Sequence, residues 1–241
     1  MSREGIVKSS KVFQNLPLPA RCAVAIFGVA GVITILWTAL SEPFNGVLQL
    51  LAIVGLAVAT AQMKVRLYKD STISFLTSVV LLSLLIGGTR EALLAGICGV
   101  TVQTYFPHRK LELHRLVFNV GMIAVTIQSS AWVYAFFLSR SSGSFPSTLA
   151  SILGASSMYY LGNSLSVSLI IALSKRESML RLWLDHFIYA APSFIIAGLL
   201  SLLAFELAQS REGFMLLTLV PVASITYYAS VRNAGARARA L

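Results

Sequence analysis

The Lys and Arg residues of this chain fall between long apolar stretches or at their ends, and this placement constrains the fold more than any other feature. Residues 22–40, 43–63, 71–89, 116–139, 187–205 and 213–231 are each free of charge. Each is close to the roughly 20 residues of helix that cross a bilayer core about 30 Å thick at about 1.5 Å per residue. Residues 141–174 are uncharged for longer still, and residues 92–107 are the shortest such stretch, at 16 residues. A membrane β-barrel would instead show runs of about ten residues with alternating polarity. These runs are continuously apolar, so the expected fold is all-α: a polytopic integral membrane bundle of about eight helices.

The same charges orient the bundle, because cytoplasmic loops of membrane proteins carry the Lys/Arg excess. With the N-terminus inside, the cytoplasmic segments hold Arg3, Lys8, Lys11 and Arg21, then Lys64, Arg66 and Lys69. Next come Arg109, Lys110 and Arg115, then Lys175, Arg176 and Arg181, and last Arg232, Arg237 and Arg239. Only Arg90, Arg140 and Arg211 fall outside, so 16 of the 19 basic residues share one side. Both ends are therefore expected in the cytoplasm of a cell whose inner membrane holds the protein. Residues 1–241 read as one membrane domain, with a cytoplasmic segment at 1–19, the transmembrane bundle at 20–231 and a cytoplasmic helical exit at 232–241.

Composition excludes several classes. The chain is 12% charged, against roughly 25% in a soluble domain. A net charge of +10 could suggest nucleic acid, but no basic stripe with interleaved aromatics is present. Anionic headgroups at the cytoplasmic face are the expected partner of that charge. Cys22 and Cys98 lie in apolar stretches without metal-ligand spacing and read as small hydrophobes. The first apolar run is longer than a signal-peptide core and reads as a retained helix.

Three places leave alternatives open. Gly87 and Gly88 allow a sharp turn between the third and fourth crossings, since glycine tolerates positive φ. A re-entrant hairpin there would reduce the count to seven crossings. The long run at 141–174 could hold a surface helix, or a tilted or broken span. Pro192 and Pro221 fall inside expected spans and are candidate kinks.

Polar residues inside the bilayer are where function is sought, because hydrocarbon gives them no partners. The reading places no ionised residue in mid-span and sets Arg90 and Glu91 on an external turn, where they could pair locally. Asn163, among Ser156, Ser157, Tyr159, Tyr160, Ser164, Ser166 and Ser168, joins Gln103, Asn119, Gln128, Ser129 and Ser130 as possible lining of a small polar cavity. The candidate ligand residues are Gln103, Asn119, Gln128, Tyr160 and Asn163. The competing explanation is helix–helix bonding, in which such groups contribute about 0.6–2 kcal/mol each. His108, His114 and His186 cluster at the cytoplasmic edge without the spacing that puts two ligands on one helix face. No HExxH, nucleophile elbow, Walker loop or dinucleotide fingerprint occurs. Neither catalysis, nor a metal, nor a cofactor is expected of these residues.

Several stretches resemble one family in order: LLIGGTREALLAG, HRLVFN, YYLGNSLSVSLIIALS and RLWLDHFIYAAPSFIIAG. It is the N-terminal multi-helix membrane region of bacterial signalling proteins with an HD-GYP or GGDEF output domain. The resemblance covers about residues 71–207. It implies a sensing or anchoring role beside a cytoplasmic domain that makes or breaks cyclic di-GMP, with Asn119, Asn163 and Pro192 matching recurrent positions. No HD, GYP or GGDEF motif occurs in the sequence, whose closing SVRNAGARARAL reads as a helix directed at such a domain.

The expected function is thus a sensory or ligand-binding membrane module that relays a signal and is not itself an enzyme. Its candidate partners are a small-molecule ligand, an HD-GYP or GGDEF output domain and further copies of itself. A solute transporter, or the substrate-binding subunit of one, and a ligand-free anchor are the alternatives.

Overall fold

The computed structural model describes residues 16–43, 46–66, 72–106, 112–140 and 145–209. The expected eighth span at 213–231, with Pro221, lies outside them, as does His108. The described chain is almost wholly helical. In order, it forms α1 (Leu18–Ser41), α2 (Val47–Thr60), β1 (Lys64–Arg66), β2 (Thr72–Ser74), α3 (Phe75–Ile86), α4 (Thr89–Tyr105), α5 (Leu113–Leu138), α6 (Phe145–Lys175), α7 (Met179–His186), a 3-10 turn (Ile188–Ala190) and α8 (Ala191–Gln209). The short strands pair antiparallel, Val65 opposite Ile73, and close the connection between α2 and α3.

Four helical segments among the described residues are long and apolar enough to cross a membrane: Leu18–Ser41, Leu113–Leu138, Phe145–Lys175 and Ile188–Gln209. Their outer faces carry large apolar side chains where a water-soluble protein would place polar ones. On α1, Ile26, Val29, Ile33 and Leu36 are exposed, as are Trp37 at 65% and Leu40 at 88%. A surface of this kind is stable only against another apolar phase. From Phe145 the run at 141–174 forms one unbroken helix of 31 residues that ends at Lys175, about 46 Å long, which exceeds the bilayer core and calls for tilt or protrusion. The short surface helix comes after it, as α7.

The helices alternate in direction. At one end, Asn119 near the start of α5 bonds Thr104 near the end of α4, and Gln103 reaches Ala61 just past α2. At the other, Arg90 at the start of α4 bonds the carbonyl of Glu42 just past α1. The α3–α4 turn therefore reaches the level at which the 24-residue α1 ends. Gly88, at φ 90°, occupies the left-handed region that favours glycine, and the turn closes there.

Close crossings are made by small residues. On α1, Gly31 lies against the backbone of Gly121 on α5, and Phe27 meets Phe118 edge-on at 5.2 Å. Gly96 and Gly99 of α4 receive Ile127 and Leu76, and Gly198 of α8 receives Ser156. Such contacts are how helices associate in lipid, where burying apolar surface offers no gain over leaving it in contact with hydrocarbon. Of the pairs visible in sequence, Ala95 and Gly99 are buried, whereas Ala150 faces outward.

Pro192 departs from the expected kink. It falls in the first turn of α8, after the 3-10 turn, where a missing N–H breaks no intrahelical bond. Cys98 is half-buried and Cys22 lies on the outer face of α1; both are free thiols.

The α1–α5 crossing supplies a stability test. A Cβ at Gly121 would collide with the Phe27 carbonyl, whereas one at Gly55 of α2 meets nothing within 4 Å. Gly121→Ala should therefore destabilise the bundle by about 1–3 kcal/mol, while Gly55→Ala should be neutral or slightly stabilising. Thermal unfolding of the purified variants checks both.

Candidate functional site

A cavity of about 480 Å³ opens at the end of the bundle where α3 begins and α4 ends. Small-molecule pockets fall between about 300 and 1,000 Å³. Each wall follows from the helix directions. Leu76 and Thr77 come from the first turn of α3, and Gln103 and Thr104 from the last turn of α4. Asn119, Met122 and Ile123 come from the first half of α5, and Tyr159, Asn163 and Val167 from the middle of α6. The segment from α7 to α8 closes the remaining side with His186, Phe187 and Phe194.

Polar groups on these walls differ in what they already hold. Asn119 Nδ2 donates to Thr104 Oγ1 at 2.9 Å, and Thr104 in turn donates to the carbonyl of Val100 at 2.8 Å. Gln103 Nε2 donates to the Ala61 carbonyl at 2.7 Å and lies 3.4 Å from Ser74 Oγ. Those bonds fix both amides and leave Asn119 Oδ1 and Gln103 Oε1 without a hydrogen bond among the described residues. Asn163 has no hydrogen-bond partner among the described residues, and its amide is not sealed from the cavity. That leaves two N–H donors and a carbonyl acceptor free for a guest. Among the described residues no Asp, Glu, Lys or Arg lines the space, and the exposed His186 is part of its wall.

Of the five residues singled out in sequence, the fold brings Gln103, Asn119 and Asn163 together around the cavity. Gln128 lies elsewhere: it is buried, and its Oε1 accepts from Thr38 Oγ1 of α1 at 2.9 Å, tying two helices. Tyr160 turns toward the α7–α8 connection, where its hydroxyl donates to the Phe187 carbonyl at 3.2 Å, beside Phe194. Trp183 reaches back from α7 to Ser164 at 2.9 Å and so holds the surface helix against α6. The neighbouring Tyr159, with Thr104, takes the lining place that Tyr160 does not. One helical position, about 100° of rotation, separates the two tyrosines, and no sequence signal distinguishes them.

Most serines of the bundle bond their own helix. Ser151, Ser156, Ser174 and Ser201 each donate to the carbonyl four residues back. This satisfies the hydroxyls of Ser151, Ser156 and Ser174 within their own helix, while Ser201 also reaches the Ser78 carbonyl of α3 at 2.9 Å.

The Gly87–Gly88 turn holds a correction. Glu91 is not on an exposed external turn paired with Arg90: it is 1% exposed, with both carboxylate oxygens sealed and no hydrogen-bond partner. Arg90 instead donates from Nη1 to the Glu42 carbonyl at 3.2 Å. The exposed position expected of Glu91 fails because its side chain folds back over Gly87, in a turn that Glu42 flanks.

With this geometry in hand, comparison with protein-family models, curated proteins and solved structures finds no match to the chain.

The hydrogen-bond inventory predicts unequal costs. Asn163→Ala should leave the unfolding midpoint within the effect of about 0.5 kcal/mol. Gln128→Ala and Gln103→Ala, which break interhelical bonds, should each cost about 0.6–2 kcal/mol. Equal losses at all three positions would show that Asn163 is structural.

Proposed function

We propose that the chain is a multi-pass ligand-binding module of the inner membrane, sensory in role and non-catalytic in itself. Its ligand is a small uncharged molecule with hydrogen-bonding groups and an apolar part. The unpartnered Asn163 amide in the cavity carries this reading. A polar group costs free energy when it is removed from water without a partner, and a guest can supply that partner here. The apolar walls from Leu76, Met122, Val167 and Phe194 match an apolar portion of the ligand, and the described lining, which holds no Asp, Glu, Lys or Arg, suits an uncharged one.

In the proposed topology, seven described segments cross the membrane and an eighth follows, with both ends in the cytoplasm. The alternating helix directions and the 16-to-3 division of basic residues support it. The α3–α4 pair is then two crossings instead of a re-entrant loop, since its turn stands level with the end of α1. The cavity lies toward the cytoplasmic face, bounded by the α7–α8 connection. A ligand would act by binding one arrangement of this connection better than another, since only differential affinity shifts an equilibrium. An HD-GYP or GGDEF output domain would receive the shift, as the resemblance of the short motifs implies.

The test is native mass spectrometry of the purified full chain, with Asn163→Leu as the comparison. The parent should retain a small uncharged molecule that the leucine variant loses while folding normally. If the two carry the same adducts, or the parent carries none after incubation with a cell extract, the cavity is not a binding site. Movement of the retained molecule across vesicles containing the protein would make it a transporter.

A further inference from the structure

A second feature lies at the opposite end of α4 from the cavity: Thr104 is thirteen residues beyond Glu91, about 20 Å along the helix. Glu91 folds back over the α3–α4 turn. A Cβ at Gly87 would stand 2.7–2.9 Å from Cβ, Cγ and Cδ of Glu91, so only glycine leaves room for this side chain. A carboxylate in the first turn of a helix normally bonds a free backbone N–H there. That explanation fails here: Gly88 N–H donates to the Leu84 carbonyl at 3.2 Å, and neither Glu91 oxygen has a partner.

A second carboxylate flanks the same turn. Glu42, just past α1, places Oε1 3.5 Å from Thr89 Oγ1 and Oε2 4.0 Å from the Cβ position of Gly88. Arg90 is the basic side chain at this place among the described residues, and it donates to the Glu42 carbonyl. Among the described residues, two carboxylates here stand against one guanidinium. A buried carboxylate such as Glu91 is strongly unfavourable without a counter-ion. The available donors are hard oxygens: carboxylates, the Thr89 hydroxyl and the carbonyl end of α3, whose dipole is negative. One residual charge suits a monovalent ion better than a divalent one, which draws on more carboxylates.

We propose that the α3–α4 turn binds a small monovalent cation of the sodium class, with Glu91 as its charged ligand and Glu42 completing the site from α1. The ion would link α1 to α4 at this end of the bundle.

The experiment uses the purified full chain in detergent, with sodium chloride exchanged for choline chloride at constant ionic strength. Sodium should raise the unfolding midpoint saturably, by at least about 3 °C at ~100 times its dissociation constant. Radiolabelled sodium should be retained by the same protein. Glu91→Gln should abolish both effects. Gly87→Ala, which crowds the carboxylate without removing it, should weaken sodium retention by about tenfold or more, a shift of ~1.4 kcal/mol. The proposal is overturned if the parent responds to none of sodium, lithium and potassium, or responds only to acidification. It is equally overturned if Glu91→Gln keeps the parent's response. Should that variant not fold, retention by the parent and by Gly87→Ala decides.

Discussion

Hydrocarbon cannot hydrogen-bond, and every other feature of this protein follows from that constraint. The backbone answers it with helices, which satisfy their own N–H and C=O groups. Ser151 and Ser156 of α6 answer it locally, by returning their hydroxyls to the carbonyl four residues back. Thr38 with Gln128, and Gln103 with Ala61, answer it between helices. Some groups remain unpaired among the described residues even so: the buried hydroxyls of Ser78 and Ser168 lack a partner, as do two larger groups, the Asn163 amide beside a cavity and the Glu91 carboxylate beneath a turn. Each is a place where the protein alone is incomplete.

The two sites depend on the same helices for different reasons. Helix α4 contributes Gln103 and Thr104 to one end and Glu91 to the other, and it is locked between them by Gly96 and Gly99 against Ile127 and Leu76. Close packing of this kind transmits displacement poorly by bending and well by rigid shift. The α7–α8 connection is different in character. It is a short surface helix, a 3-10 turn and a proline-started helix, tied to α6 through Trp183–Ser164 and Tyr160–Phe187. These few bonds hold the cavity's remaining wall, and they are the contacts a ligand could rearrange.

Reading the chain without its fold went furthest where the physics is local. The apolar runs at 22–40, 116–139 and 187–205 coincide with α1, α5 and the segment around α8, because helix length and hydropathy are properties of contiguous residues. Asn119, Gln103 and Asn163 were identifiable as polar groups in apolar surroundings, and the fold collects them around one space. Gln128 and Tyr160 carry the same signal but face α1 and the α7–α8 connection instead. Nothing in composition distinguishes a polar side chain aimed at a cavity from one aimed at a neighbouring helix. Pro192 read as an interior kink because hydropathy runs on through residues 187–190, where the backbone is a 3-10 turn.

Sequence alone therefore determined that this is a helical membrane protein and where its long helices run, since both follow from the transfer of contiguous side chains out of water. Only the tertiary structure decided which polar groups have partners. Glu91 illustrates the difference. Beside Arg90 in the sequence it reads as half of a surface ion pair, yet it is buried over the bare Gly87 with no partner for its carboxylate among the described residues. A partner is a property of three-dimensional neighbours, and in this bundle they range from four residues away, as Gly87 is from Glu91, to ninety, as Thr38 is from Gln128.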